Sequence, residues 1–435
     1  MLRNNIELDV KTKCIEEKVS QHQVAENIGT SGTYISRLIN HPEKIVNKTF
    51  LAMMEDLGYD VQLTYVNREN AEKNRNLRRF QMTVNFDILV SGCNTRCKHC
   101  YVNGGPGSMM KLEDAFLFIE KLDALAELLP FEASFTLDNE PMNHPDIASI
   151  IRKAKTTRYI ENYHHGMTSG IALMCRKDRH GVMQAYLDCG YRDFGITIHG
   201  NAAHHDEIVR RESAFRIAIE AAEFMKSCGA EVGVSLMFNR FFAEDAEEID
   251  GMLQQLQPAY IYFAVPNFTP HAHMTDYEPY RGSLNTLHRI RPWLARWHQQ
   301  EDELTKEICT IGMLKDQLQQ GFDIVPLFKC PQDELYMAVH QNGDLFVGNT
   351  GVETEHLGNL RTLDIQETAK RISELPGNRD YGAFYEVDLL PRQEVLVHAI
   401  DQLPQDLLYS DRASALYRAL TMLGIPTIIL DAVAK

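Results

Sequence analysis

No apolar run in this chain approaches the roughly eighteen residues that a helix needs to cross a bilayer. No secretory leader and no lipidation signal are evident either. Together these absences give the expectation of a cytoplasmic protein away from the membrane, where thiols stay reduced. The nine cysteines, an odd count in 435 residues, also argue against a disulfide framework. A second C-x-x-C pair is missing, although structural zinc sites usually bring such pairs in twos. A basic excess is missing too: 44 Lys and Arg stand against 60 Asp and Glu, a net charge of −16. The charge therefore gives no support for nucleic-acid binding by the chain as a whole. What the composition does supply is length and apolar content. At 435 residues and 44% hydrophobic residues, the chain exceeds the roughly 250 to 300 residues at which one core stops growing, so more than one domain is expected.

Against this background, three cysteines stand together in VSGCNTRCKHCYVNGG: Cys93, Cys97 and Cys100. Spacings of three and then two residues let one loop aim three thiolates at one compact soft-metal centre, with no protein ligand for a fourth position. A [4Fe–4S] cluster held in this way keeps one iron open to an exogenous ligand and reaches potentials low enough to deliver a difficult electron. The competing reading is a zinc site closed by His99 or a distant residue.

The string C-x-x-x-C-x-x-C-Tyr, preceded by the strand-like run Val84–Val90 and followed by glycines and a helix, resembles the signature loop of the radical S-adenosylmethionine enzymes. Downstream, FTLDNEPMNHPDI is similar to that family's second motif, with Asp138 and Asn139 in place of two glycines. The resemblance implies that Glu140 receives the cofactor's ammonium group, for which a carboxylate at a strand end is chemically apt. In the segment HHDEIVRR, which resembles a family element preceding the cofactor-carboxylate arginine, it implies Arg210 for that role, ahead of Arg211. Thr168 and Ser169, in place of a TNG-like turn, and Asn239, after the run Val232–Met237, complete the implied cofactor pocket. Tyr101, next to the third cysteine, would lie against the adenine through its backbone. All of these stand at successive strand ends, where barrel enzymes collect function. The motifs name no catalytic side chain beyond this set.

The order of elements predicts an α/β protein in three blocks. Residues 81–300 alternate β-like runs (VNFDILV, ASFTLD, FGITI, EVGVSLM, YIYFAV) with helical stretches such as LEDAFLFIEKLDALAELL, which predicts a partial (β/α)6 TIM-like barrel. Residues 1–80 form an all-α block. SQHQVAENIGTSGTYISRLIN reads as helix, turn, helix and resembles the Cro/repressor-like family, with Gly32, Thr33, Tyr34 and Arg37 as groove-side candidates. This block carries twelve Lys and Arg against eleven Asp and Glu, a net of +1, so the remainder carries −17. The open readings for it are DNA binding through residues 20–40, docking of a peptide leader, or homodimerisation. Residues 301–435 read as an α+β extension whose CPQDELYMAVHQNGDLFVGN segment turns as a hairpin at Asn342 and Gly343. The extension resembles the SPASM or Twitch module of the same family. Where relatives place a cysteine after the hairpin this chain has Gly348, and only Cys309 and Cys330 remain in that half, so an auxiliary cluster is not expected.

The resemblance implies an enzyme using a [4Fe–4S] cluster and S-adenosyl-L-methionine, reduced by a flavodoxin or ferredoxin. It would generate a 5′-deoxyadenosyl radical that takes hydrogen from a small-molecule or peptide substrate, for rearrangement, epimerisation or group transfer. Two alternatives stand beside it: a peptide- or protein-modifying enzyme whose N-terminal block holds a leader, and an iron–sulfur-sensing DNA-binding regulator. In the loop after the YIYFAV run, the sixth predicted strand, Asn267, His271, His273, Tyr277 and Tyr280 are candidates for substrate contact.

Overall fold

Side-chain alternation along the strands decides which way each one faces. The computed structural model describes residues 6–16, 18–27, 48–61, 83–100, 104–157, 167–269, 277–297, 308–324, 327, 334–375 and 390–425. The chain divides into two units, residues 1–81 and 82–435.

In the first unit the described residues form helices Ile6–Glu16, Gln21–Asn27 and Lys48–Asp56. The second starts at a reciprocal cap: Gln23 N donates to Ser20 Oγ at 3.1 Å, and Ser20 N donates to Gln23 Oε1 at 2.9 Å. Two of the four orphan amides of a helix start are satisfied this way. The groove-side candidates Gly32, Thr33, Tyr34 and Arg37 lie outside the described residues.

In the second unit, β1 (Thr83–Ile88) pairs in parallel with β2 (Glu132–Leu137). A further parallel run is formed by β3 (Met167–Thr168), β4 (Asp193–Ile198), β5 (Glu231–Met237) and β6 (Ile261–Ala264). These are the six strands of the expected partial barrel. One face of each strand is apolar and joins a single core: Val84, Phe86 and Ile88 from β1, Ala133, Phe135 and Leu137 from β2, Phe194, Ile196 and Ile198 from β4. Phe86 and Phe135 are directly opposite in register and stack at 5.4 Å. Helix Leu112–Leu128 covers this face with Ala115, Phe118, Ile119, Leu122, Leu125 and Ala126, the three-and-four spacing of an amphipathic helix. The opposite face is more polar, carrying Asp87, Ser235 and, just past the strands, Glu140, His199 and Asn239, all of them buried. At two inward positions a glycine lets a neighbouring side chain lie against the strand. A Cβ on Gly195 would lie 1.9 Å from Met167 Sδ, and one on Gly233 would lie 2.1 Å from the Tyr260 ring.

The C-terminal block begins inside the barrel wall. Its first strand, β8 (Glu334–Val339), is reached after the short β7 (Cys309–Thr310) and pairs in parallel with β1 on the side away from β2. The hairpin turns at Asn342 and Gly343 into β9 (Asp344–Val347), and β10 (Glu355–Asn359) adds antiparallel to it. The sheet therefore crosses the boundary expected at residue 300, and the extension supplies part of the lumen lining. A second core gathers helices Ile311–Gln319, Gln393–Ile400 and Arg412–Met422 around Phe268, Leu314, Leu416 and Tyr409. It is tied to the barrel by buried Arg281, which pairs with Glu278 at 2.8 Å and donates to the carbonyls of Pro266 and Leu408 at 2.6 and 3.1 Å.

Candidate functional site

The polar groups described above converge at the C-terminal ends of the strands. After β1 the chain turns so sharply that a Cβ on Gly92 would fall 2.5 Å from Gly105 O. The loop between closes through Cys93 N donating to Gly105 O at 2.9 Å and Gly104 N donating to Cys100 Sγ at 3.1 Å. Thr95 Oγ1 lies 3.0 Å from Cys93 Sγ and receives a bond from Cys97 Sγ at 3.5 Å, so one hydroxyl bridges two of the thiols. Gly104 lies beside Cys100, where a Cβ would meet its Sγ at 3.1 Å and Asn139 Oδ1 at 3.3 Å. The loop is held from the next helix as well: Lys98 N donates to Ile208 O at 2.9 Å, and Arg211 Nη1 donates to Asn94 O at 3.1 Å.

Burial raises the Cys97 thiol to about 12, with the neighbouring Cys100 and Cys93 thiols adding to the rise. Cys93 is raised first by burial and then by the negative field of Glu140. Cys93 and Cys100 thus act on Cys97, and Glu140 acts on Cys93, and a cationic centre among such thiols is what converts them to thiolate ligands. Among the described residues no three His, Cys, Asp or Glu side chains close on a single-ion position.

Glu140 follows β2, 2% exposed. Its carboxylate accepts from Thr168 Oγ1 at 2.7 Å, from Ser169 Oγ at 2.8 Å and from Ser169 N at 3.1 Å. Burial raises its pKa, and these three bonds oppose the rise. Among the described residues it has no ion-pair partner. Glu140, Thr168 and Ser169, three of the sequence candidates, are therefore one hydrogen-bonded group. Asn139 adopts φ +64°, the left-handed conformation that asparagine tolerates best after glycine. That resolves how the loop turns without the two glycines of the related motif. Asp138 Oδ1 accepts from Asn139 N at 2.7 Å and holds the turn.

The two arginines separate. Arg210 caps helix Ala202–Val209 with a left-handed backbone, φ +58°, and its residue is exposed. Arg211 is the one that reaches the cysteine loop. Asn239, fully buried, is occupied in joining strand ends: its Nδ2 donates to His199 O at 2.6 Å and Met237 O at 3.2 Å, and its Oδ1 accepts from Phe241 N at 3.0 Å. Tyr101, His271, His273 and Cys330 lie outside the described residues.

Sequence reasoning named His99 and Tyr277 separately but missed that they belong to one cluster of rings with His199 and His205 against the cysteine loop. The His99 and His199 ring centroids are 4.3 Å apart, His199 and His205 are 5.2 Å apart, and Tyr277 stands 6.1 Å from His99. Tyr277 donates to Phe238 O at 3.1 Å. Burial holds His199 well below the ordinary histidine value and lowers His205 to about 4, so both are neutral at physiological pH. The signal available was position: His199 ends a strand and His99 sits between two of the cysteines. Nearby, Lys98 bonds the Tyr280 hydroxyl, which donates to Glu207 at 2.6 Å, so one loop candidate touches the cysteine loop directly.

Residues 88–256 match the family model described as Radical SAM superfamily. No curated protein matches the chain. Among solved structures it is similar to native anSMEcpe with bound AdoMet, at 14% identity and TM-score 0.43, over 66% of this chain and 80% of that one. It is also similar to Streptococcus suis SuiB bound to precursor peptide SuiA, at 12% identity and TM-score 0.44, over 85% and 89%. HydG, a maturase of the [FeFe]-hydrogenase, follows at 11% identity and TM-score 0.35, over 53% and 55%.

Proposed function

We propose that this chain, an enzyme whose residues 88–256 are a radical SAM domain, holds its cluster on Cys93, Cys97 and Cys100 and its S-adenosylmethionine beside Glu140. A [4Fe–4S] cluster with S-adenosylmethionine supplies, when bound and reduced, a 5′-deoxyadenosyl radical able to take a hydrogen atom from an unactivated carbon. The residues fit both groups. Three part-buried thiols in one loop interact with each other and with Glu140. The absence of a side chain at Gly104 leaves Cys100 approachable. Glu140 is a buried carboxylate whose neighbours in the described residues are neutral donors.

The observation that carries the reading is the Glu140–Thr168–Ser169 group. Three donors fix the carboxylate's orientation, two on Oε2 and one on Oε1, and leave a lone pair on Oε1 for a cation such as the cofactor's ammonium. Arg210 is proposed for the cofactor carboxylate, and Arg211 for holding the cysteine loop in place. Tyr277 and the neutral histidine stack line the loop with low-dielectric surface, which excludes water from the cofactor. A regulator that only sensed iron would have no use for a fixed carboxylate at this position, so the enzyme reading is preferred to the DNA-binding one.

The test is anaerobic. Protein reconstituted with iron and sulfide is mixed with S-adenosylmethionine and a strong reductant, and 5′-deoxyadenosine is measured against Cys97→Ala and Glu140→Gln. The reading expects product from the wild type and background from Cys97→Ala. A fully loaded cluster giving no product with the wild type favours the sensor reading instead.

A further inference from the structure

Gly348, where related modules carry a cysteine, adopts φ +106°, and a Cβ there would fall 2.6 Å from Val352 O. The position is committed to a tight loop, and the loop has a result. It turns residues 349–353 back onto the inner face of β1 and β8. Asn349 donates to Asp87 Oδ2 at 3.1 Å, and fully buried Glu353 accepts from His340 Nε2 at 2.8 Å through one oxygen. The other Glu353 oxygen has no hydrogen-bond partner, and neither has Asp138 Oδ2. Desolvation raises the pKa of Asp138, and the charge of Glu353 adds to the rise. Thr350, 4% exposed, faces Asp138 without closing a well-formed hydrogen bond.

A buried oxygen left without a donor costs about 1–3 kcal/mol, more when charged, so Glu353 Oε2 and Asp138 Oδ2, with only the Thr350 hydroxyl beside Asp138, leave room for a further donor. A positive donor suits two carboxylates whose charges act on each other, and Asp138 is only two residues before Glu140. We infer that Asp138, Glu353 and Thr350 form a subsite for an organic cation of the substrate, an ammonium or a guanidinium, beside the proposed cofactor site. The inference rests on the reading above for its place in the reaction: the cation fixes one end of the substrate while a neighbouring carbon faces the cofactor. The acid-bearing loop takes the place of the cysteine that this module lacks.

The test is isothermal titration of the full, cluster-loaded chain, with S-adenosylmethionine saturating so that Glu140 is occupied. The probes are cadaverine and agmatine against 1-pentanol, and acetyl-Gly-Lys-Gly-amide against its norleucine counterpart. A cationic probe is expected to bind at least about tenfold tighter than its neutral partner, the preference that one charged hydrogen bond provides. Glu353→Gln and Thr350→Val should each shrink that preference. Preference shown only by the peptides assigns the cation to a polypeptide; preference shown only by the free amines assigns it to a small molecule. Equal binding of cationic and neutral probes, or a preference untouched by both variants, overturns the inference. Should Glu353→Gln fail to fold, Asp138→Asn carries the same comparison. Wild-type protein that yields deoxyadenosine yet ignores charge overturns this inference alone, whereas protein that selects cations yet never cleaves the cofactor overturns the cofactor reading alone.

Discussion

Two buried carboxylate sites share one barrel lumen and differ in how they are completed. Glu140 receives three neutral hydrogen bonds from Thr168 and Ser169. Asp138 and Glu353 face each other, each with an oxygen lacking a donor. The first is oriented by three donors; the second is left with oxygens lacking donors, which the proposed cation would supply. The difference follows from where the residues come from. The Glu140 group is built from two adjacent strand ends, so each loop can be shaped for the other. Glu353 arrives from a hairpin more than two hundred residues later and meets Asp138 only because β8 adds to the barrel wall.

The strongest test of this contrast removes the centre that both sites serve. Cys97→Ala takes one of the three proposed ligands, and deoxyadenosine formation should fall to background in the anaerobic assay. Next in size, Glu140→Gln keeps the shape and the Thr168 and Ser169 contacts but removes the charge. S-adenosylmethionine affinity, read by equilibrium dialysis on loaded protein, should drop about 10- to 100-fold, the worth of a charge-assisted bond.

Stability separates the sites further. Asn239→Ala breaks three bonds, one to the neighbouring strand end at His199 and two within its own turn, and should cost about 2–4 kcal/mol in denaturant unfolding. Asp138→Asn should act in the other direction as pH rises. The folded-state pKa of Asp138 is raised from 3.8, chiefly by desolvation, so the folded protein holds this proton more tightly than the unfolded chain. Its penalty is absent below 3.8 and grows as pH climbs to the raised value, at most about 1.4 kcal/mol per pH unit. Asp138→Asn removes that slope. Unfolding curves at acid and neutral pH should show the variant gaining on the wild type as pH rises, and parallel curves would count against the facing-carboxylate account. The smallest effect concerns the arginines. Arg211→Ala should release iron from the loop several-fold faster, since it loses the bond to Asn94 O, whereas Arg210→Ala should weaken S-adenosylmethionine binding and leave iron retention unchanged.

How much of this was legible in the sequence follows from the same contrast. Cys93, Cys97, Cys100 and Glu140 stand in short strings whose chemistry depends on local spacing, and the strands that carry them show as apolar runs. The grouping of Glu140 with Thr168 and Ser169 was implied by the resemblance, because consecutive strands of a parallel barrel are neighbours. The hairpin at Asn342 and Gly343 was legible from turn chemistry. That its first strand pairs with β1 was not, since nothing local encodes a partner so far away in sequence. Glu353 reads as an ordinary loop residue, and Gly348 as a missing cysteine; their meaning depends on a fold that returns them to Asp138. Asn239 looks like a pocket residue because it ends a strand, but its amide is taken up by backbone groups of neighbouring strand ends.

The central claim is an open iron beside Glu140, and the most direct measurement is electron paramagnetic resonance of the reduced, reconstituted protein before and after S-adenosylmethionine is added. The account predicts a [4Fe–4S]+ signal whose shape changes on addition of the cofactor and is absent in Cys97→Ala. A strong signal that S-adenosylmethionine leaves unaltered would contradict it.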